Sequence, residues 1–251
     1  MQYKVHDGFL CLTSYHSNDP VKIDNCDLEY EVFTIIRKSI ENIFCDAPTL
    51  MFSDIILRGS KRTSEVMVEL VTNLDDSHEI LIRDAKDYIV ATNMIDILSN
   101  AILPYQLTGI TLRISPSSKE RRTRTGKRIT LWGEDFYTEK LCGRTFRIKA
   151  GAFFQVKIEG AEILYNLASK GIFEAASICD FYCGTGSIGL SVIRDGQSLV
   201  GVESVPEAIE SAKLNAKLSG IDNAKFYCRP AEKFNFAKEK LPVPDAVIVD
   251  P

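Results

Sequence analysis

Residues 177–189, Ser-Ile-Cys-Asp-Phe-Tyr-Cys-Gly-Thr-Gly-Ser-Ile-Gly, constrain the fold of this chain more than any other stretch. An apolar run ends at Asp180 and is followed by Gly184, Gly186 and the start of a helix. Glycine adopts backbone angles that other residues avoid and lets a ligand approach the main chain. A helix start adds unpaired N–H groups and a positive dipole end. The stretch therefore predicts a nucleotide-type binding loop.

Two ligand classes fit this loop. The spacing Gly184-x-Gly186-x-x-Gly189, with Glu203 further on, matches the dinucleotide fingerprint of strand, glycine turn and helix. Counted from Asp180, the same residues form the Asp-x-x-x-Gly-x-Gly loop of S-adenosylmethionine methyltransferases. A glycine pattern alone is weak, and a tight turn without a ligand is the third interpretation.

The region after Gly171 alternates between strand and helix patterns. Apolar strands are predicted at 178–182, 198–203, 224–228 and 245–249, with helices at 187–194 and 206–219. Apolar strands joined by helical crossovers imply a parallel, doubly wound sheet. The predicted fold class is α/β: an N-terminal α+β domain at residues 1–145, then an incomplete Rossmann-like methyltransferase domain at residues 146–251.

The first half of the chain has a different pattern. Strands are predicted at 54–58, 65–72, 79–83, 108–114 and 128–132, and helices from Asp27 and over 84–103. This order favours helices packed on a largely antiparallel sheet.

Acidic residues follow the strands of the second half. Ligands in doubly wound sheets lie beyond the carboxyl ends of the strands, where Glu203 and Asp250 are expected beside the glycine loop. Glu203 suits the two ribose hydroxyls of either ligand class. Asp250, followed by Pro251, is expected to face the reacting end of the ligand. Asp180 and Asp250 favour a methyl donor over a dinucleotide.

Composition sets limits on the partners. The net charge of −4 does not indicate nucleic acid, so an RNA site must be a local patch, and residues 119–128 hold six basic side chains. A solvated hairpin tip is the other interpretation of that patch. No apolar run approaches the roughly 18 residues of a membrane span. Seven scattered cysteines without a Cys-x-x-Cys pair argue against zinc and favour a reducing compartment, and we expect a cytoplasmic protein.

Several stretches in combination resemble one family, the RNA uracil-C5 methyltransferases that form 5-methyluridine in tRNA and ribosomal RNA. The matching segments are Leu131–Asp135, Leu141–Gly143, Phe146–Ile148, Ala152–Val156, Asp180–Gly186, Val202–Pro206 and Val249–Pro251. The resemblance implies that S-adenosylmethionine is held by Gln155, Tyr182, Ser187, Glu203 and Asp250. It also implies that Phe153 lies near a uracil flipped out of its stack. Without the resemblance, Phe153 is more typical of a core and Gln155 of a solvated surface.

The family chemistry is covalent. A cysteine thiolate adds to uracil C6, C5 takes the methyl group, and a carboxylate base removes the C5 proton. In the family, both residues follow the Asp-Pro turn that ends this chain, so we assign no catalytic residue and expect a truncated, inactive protein. Cys183 is rejected as the nucleophile, because family members carry a cysteine there without using it. Cys26 lacks the partner cysteines of an iron–sulfur site, so no metal cluster is expected.

The resulting hypothesis is an S-adenosylmethionine-dependent methyltransferase that forms 5-methyluridine in RNA, with tRNA favoured over ribosomal RNA. A methyltransferase of the same fold with another target is one alternative. A non-catalytic RNA-binding or regulatory fragment that uses residues 119–128 is another. A dinucleotide oxidoreductase fits least well.

Overall fold

A computed structural model describes residues 1–17, 19–46, 51–74, 77–115 and 126–250. The chain forms two compact units, Met1–Tyr137 and Thr138–Pro251. The predicted division into an RNA-contacting α+β domain at residues 1–145 and part of a methyltransferase domain at residues 146–251 stays a prediction.

A seven-stranded sheet organises the N-terminal unit, with the strand order β3-β2-β1-β4-β5-β6-β7. Its strands are β1 (Gln2–His6), β2 (Phe9–Thr13), β3 (Pro20–Val21), β4 (Asp54–Ser60), β5 (Glu65–Thr72), β6 (Gln106–Ile114) and β7 (Lys127–Gly133). Only β5 and β6 pair in parallel among these described strands, and every other pair is antiparallel. The predicted mixed fold class is therefore confirmed in this unit.

Three helices bury their apolar faces against this sheet: α1 (Glu31–Asp46), α2 (His78–Ala91) and α3 (Met94–Ala101). Every second side chain along a strand points to the same face of the sheet. The apolar side chains on one face of β4, β5 and β6 therefore form one core with the helices. This core is the main source of stability of the unit, since apolar burial contributes about 25 cal/mol per Å².

The strand predicted at 79–83 is wrong, because these residues form the first turns of α2. Ser77 caps the helix, and its side chain accepts a hydrogen bond from the Ile80 N–H. Leu81, Ala85 and Ile89 are buried four residues apart, which is the spacing of one helix face. The helical region predicted to 103 is also two helices rather than one, broken at Asn93, which has a φ of 51°.

The C-terminal unit contains a parallel four-stranded sheet and its crossover helices. A hairpin of β8 (Phe136–Leu141) and β9 (Arg144–Lys149) begins at the division between the units. It is followed by α4 (Ile158–Gly171), β10 (Ser177–Phe181), α5 (Ser187–Val192), β11 (Ser198–Glu203), α6 (Pro206–Leu218), β12 (Ala224–Cys228) and β13 (Ala246–Val249). These bounds match the predicted strands and helices closely.

The strand order β12-β11-β10-β13 is that of a doubly wound sheet. The chain moves outward from β10 to β12 and then returns to the other side of β10. The strand order changes direction between β10 and β13, and folds of this kind bind ligands beyond the carboxyl ends of the strands at such a point. The predicted parallel, doubly wound arrangement is confirmed.

Asn215 ties three parts of this unit together from the buried face of α6. Its Oδ1 accepts from the Arg147 N–H at 2.9 Å, and its Nδ2 donates to the Thr185 carbonyl at 3.1 Å. The side chain is fully buried, so no water replaces a lost bond. β9 and the glycine loop are therefore held to the same helix.

Replacing Asn215 by Leu should destabilise the C-terminal unit by about 1–3 kcal/mol, because it removes the acceptor of the half-buried Arg147 N–H. Urea unfolding followed by circular dichroism measures the change. Asn166→Leu, at an exposed position on α4, is the matched control and should change the free energy of unfolding by less than about 0.5 kcal/mol. Equal effects of the two substitutions would contradict the role of Asn215.

Candidate functional site: the carboxyl edge of the parallel sheet

Asp180 lies at the centre of the site, near the end of β10. Its side chain is 1% exposed, and Oδ2 accepts a hydrogen bond from the Gly189 N–H at 2.9 Å. A Cβ at Gly189 would approach Oδ2 to 2.8 Å, so only glycine allows this contact without a shift. Oδ1 is buried and makes no hydrogen bond within the described part of the chain.

The loop after β10 owes its shape to left-handed backbone angles. Tyr182, Gly184 and Gly186 have φ values of 61°, 54° and 79°. A bulky residue at positive φ is uncommon and strained, and such strain concentrates at functional sites. Tyr182 is 44% exposed, so its ring is free to meet a ligand at the surface of the site.

Glu203 fastens this loop to the end of β11. Its Oε2 accepts from the Gly184 N–H at 3.2 Å, and its Oε1 accepts from the Ser204 and Val205 N–H groups at 2.6 and 2.9 Å. The carboxylate is half-buried and retains acceptor capacity on Oε2. Glu203 therefore serves the architecture of the loop, and its contact with a ligand stays a prediction.

All three glycine N–H groups of the motif are bonded within the protein. The Gly184 N–H donates to Glu203, the Gly186 N–H donates to the Cys183 carbonyl at 2.8 Å, and the Gly189 N–H donates to Asp180. A dinucleotide site uses the N–H groups of this loop to hold a pyrophosphate. The loop offers none of these three groups to such a ligand.

Negative charges converge at this edge. Burial raises the pKa of Asp180 from 3.8 to about 7, and the charges of Asp250 and Glu203 add to the rise although the Gly189 N–H opposes it. Asp250 follows β13 and is exposed. The site accordingly favours a ligand that carries positive charge or donates hydrogen bonds.

The sequence analysis missed Tyr165 of α4, which is 1% exposed and whose hydroxyl makes no hydrogen bond within the described part of the chain. Burial raises the pKa of Tyr165, and the side chains of Ser187 and Gln155 oppose the rise. Helical periodicity predicts Tyr165 as core, and no motif distinguishes its hydroxyl. Phe153, two residues before Gln155, is 55% exposed, which leaves its ring accessible.

The two cysteines of this region are buried. Burial raises the pKa of Cys179 to about 12, and burial together with the charge of Asp180 also raises the pKa of the Cys183 thiol. A thiol of raised pKa is a weak nucleophile because the thiolate is the reactive form. Neither thiol is activated by its surroundings.

Other predicted features lie elsewhere. Most of the basic patch at residues 119–128 falls outside the described residues, and its Arg128 donates to buried Glu69 at 2.7 Å. Across the described ranges, no group of three or more His, Cys, Asp or Glu side chains is placed to hold a metal ion. No described helix has both the length and the apolar character needed to cross a membrane.

Comparisons with known proteins agree with this geometry. A family model described as a methyltransferase domain matches residues 172–248. An uncharacterized RNA methyltransferase of Clostridium acetobutylicum is 30% identical over 262 residues, covering 98% of this chain and 54% of that protein. One from Clostridium tetani is 34% identical over 206 residues, covering 79% of this chain and 41% of that protein. The chain thus spans about half the length of these relatives.

A solved structure matches the whole chain. The tRNA (uracil-54, C5)-methyltransferase of Pyrococcus abyssi, in complex with S-adenosyl-L-homocysteine, aligns with a TM-score of 0.76 and 22% identity, covering 100% of this chain and 58% of that one. The fold is that of an S-adenosylmethionine-dependent methyltransferase. It consists of a Rossmann-like unit preceded by an N-terminal unit, as predicted.

The residues present fit the cofactor of this methyltransferase fold. Space is open in front of Gly184, since a Cβ there would meet nothing within 4 Å. The Oδ1 of Asp180 has no hydrogen-bond donor within the described part of the chain. The carboxylates of Glu203 and Asp250 suit ribose hydroxyls and a cationic group.

The raised pKa of Asp180 predicts a pH-dependent stability. The folded protein binds more protons than the unfolded chain between pH 3.8 and about 7, so this group lowers stability as the pH rises through that window. Asp180→Asn removes this contribution. The variant should gain about 2 kcal/mol relative to the wild type between pH 5 and pH 7 in urea unfolding.

Asp222→Asn, at an exposed turn, is the control and should follow the wild-type profile. Parallel pH profiles for Asp180→Asn and the wild type would show that Asp180 titrates normally.

Proposed function

We propose that this protein binds S-adenosylmethionine at the carboxyl edge of its parallel sheet and is by family an RNA methyltransferase of the type that forms 5-methyluridine, with tRNA favoured over ribosomal RNA, although this chain alone is inactive. The observation that carries the proposal is the bonded glycine loop between Asp180, Glu203 and Asp250. It favours a cationic methyl donor over a dinucleotide.

Different residues of the chain are proposed to bind different parts of S-adenosylmethionine. Glu203 is positioned to accept from ribose hydroxyls with its remaining lone pair, and Tyr182 presents an exposed ring to the same ligand. The proposal assigns Asp250, Gln155 and Ser187 to the other half of the ligand. S-adenosylmethionine, when bound, supplies an activated methyl group.

RNA as the methyl acceptor is supported by the relatives, which are named as RNA methyltransferases. Uracil C5 as the target is supported by the motifs of the sequence, above all Phe153 and Gln155 ahead of α4. The exposed ring of Phe153 suits stacking on a base taken out of its helix. A location in the cytoplasm is part of the same proposal.

We infer that this chain transfers no methyl group to uracil by itself. C5 chemistry needs a thiolate that adds to C6. The cysteines at the site, Cys179 and Cys183, are buried thiols with raised pKa values, and Cys183 donates weakly to the Gly184 carbonyl. The proposed role of these 251 residues is to hold cofactor and RNA.

Calorimetric titration tests the cofactor site. S-adenosylhomocysteine should bind and NADH should not. Glu203→Gln should weaken S-adenosylhomocysteine about 10- to 100-fold, because it replaces a charged acceptor of hydrogen bonds by a neutral one. Glu207→Gln, at an exposed position in the first turn of α6, is the matched control and should bind like the wild type.

Binding of NADH alone would contradict the proposal, and so would unchanged affinity in Glu203→Gln. Because Glu203 also bonds the loop, the melting temperature of each variant is measured beside its affinity.

Transfer of labelled methyl groups to unmodified tRNA and ribosomal RNA transcripts tests the chemistry. Nucleoside analysis of the RNA should find no label after incubation with this chain. Label in 5-methyluridine would overturn the inferred inactivity and establish the target. Label in another nucleoside would favour a methyltransferase of the same fold with a different target.

A further inference from the structure

A surface cavity of about 620 Å³ lies in the C-terminal unit, away from the proposed cofactor site. It opens at the amino ends of β10 and β13, because its wall includes Ala175, just before β10, and Asp245, directly before β13. The proposed cofactor site is at the carboxyl ends of the same strands. With a rise of about 3.3 Å per residue, the five residues of β10 separate the two edges by about 13 Å. The cavity is therefore a second candidate site.

Phe173 and Arg194 form a stacked pair on the wall of this cavity. The guanidinium carbon of Arg194 lies 4.3 Å from the centroid of the Phe173 ring, and Nη2 of Arg194 donates to the Ser169 hydroxyl at 2.9 Å. These contacts hold the pair in place, although Phe173 is 63% exposed and Arg194 is also exposed. Unpaired RNA bases stack on aromatic rings and on arginine planes, so the pair presents both kinds of surface to a base.

Charged groups of both signs line the cavity. Lys170, in the last turn of α4, lies on its wall with Glu174 and Asp245. The Oδ2 of Asp245 accepts from the N–H groups of Ala176 and Ser177 at 3.0 and 2.9 Å, which leaves Oδ1 to accept from a ligand. Lysine and arginine bind phosphate, whereas carboxylates accept from the amino groups of bases. A nucleotide carries both kinds of group, so its chemistry matches this lining.

We propose that this cavity binds one unpaired nucleotide of RNA, with the base stacked against Phe173 and Arg194 and a phosphate at Lys170. The inference rests on the proposed function, because it takes RNA as the partner. The nucleotide held here is not the one that receives the methyl group, since the cavity lies at the opposite edge of the sheet from the cofactor. It anchors the RNA strand at a distance from the reacting base.

The fluorescence anisotropy of a short, fluorescein-labelled single-stranded RNA tests the stacking contact. Phe173→Leu keeps an apolar side chain but removes the ring, and it should weaken RNA binding about tenfold. Tyr15→Leu, which removes an exposed ring from the N-terminal unit, is the matched control and should bind RNA like the wild type. Both variants should retain their affinity for S-adenosylhomocysteine, because neither residue belongs to the proposed cofactor site.

The salt dependence of RNA binding tests the phosphate contact. Lys170→Gln should reduce the slope of log affinity against log salt concentration by about 0.7, the value for one phosphate of a single strand. Lys217→Gln is the matched control, because Lys217 is exposed in the last turn of α6 and the substitution removes the same charge. This variant should keep the wild-type slope.

Photo-cross-linking locates the contact directly. RNA that carries 4-thiouridine should form adducts with Phe173 or its neighbours in the cavity, and mass spectrometry of the peptides maps them. If Phe173→Leu also loses S-adenosylhomocysteine, its fold has changed, and the slope of Lys170→Gln and the adduct map decide instead.

The outcomes separate this inference from the proposed function. Wild-type RNA affinity in a folded Phe173→Leu, a wild-type slope in Lys170→Gln or adducts confined to peptides outside the cavity would overturn the proposal. A chain that binds S-adenosylhomocysteine but no RNA would also overturn RNA as the partner in the proposed function. A chain that binds RNA at the cavity but not S-adenosylhomocysteine would overturn only the proposed cofactor site.

Discussion

The hydrogen bond between the Asp180 carboxylate and the Gly189 N–H fixes the geometry on which the site depends. It joins the end of β10 to the first turn of α5 across the glycine loop, at 2.9 Å and away from solvent. Gly189 also packs against Leu199 of β11, with which a Cβ would come to 3.0 Å. Because Gly189 has no side chain, α5 lies close to both β10 and β11. Burial disfavours the charged form of the Asp180 carboxyl group, and this cost appears as the raised pKa of Asp180.

Glu203 provides the second connection, and it illustrates how one side chain combines structure with recognition. Its two oxygens bond Gly184 on one side and the turn at Ser204 and Val205 on the other. These bonds lock the rotamer of the carboxylate before any ligand arrives, which reduces the entropy lost on binding. A preorganised acceptor at the end of β11 suits the ribose contact that the proposed function assigns to Glu203. The same rigidity means that changes at Glu203 affect loop and ligand together.

The sequence predicts the Rossmann-like unit well because its strands are mostly apolar and because Pro206 marks the start of α6. β11 and β12 have the predicted bounds, and Pro206 opens α6 as expected. Residues 79–83 were not predictable as helix from their local pattern, since the deciding signals are the cap at Ser77 and burial against a distant sheet. Tyr165 was not predicted for a related reason. Helical periodicity identifies the buried face of α4, but it does not show which elements the Tyr165 hydroxyl approaches. The local sequence pattern predicts most helices and strands, whereas contacts between these elements define the site.

The ambiguity between a dinucleotide and a methyl donor is resolved by where the N–H groups of the loop are used. A pyrophosphate needs several free donors and tolerates carboxylates poorly. Here Gly184 and Gly189 donate to the carboxylates of Glu203 and Asp180, and Gly186 donates to the main chain. Two of the three N–H groups that a dinucleotide would need for its phosphate oxygens thus donate to carboxylates of the protein. The glycine spacing that suits both ligands therefore allows close packing and hydrogen bonds to carboxylates in this protein. The carboxylates make this edge of the sheet negative, and the positive sulfonium and ammonium groups of S-adenosylmethionine complement that charge.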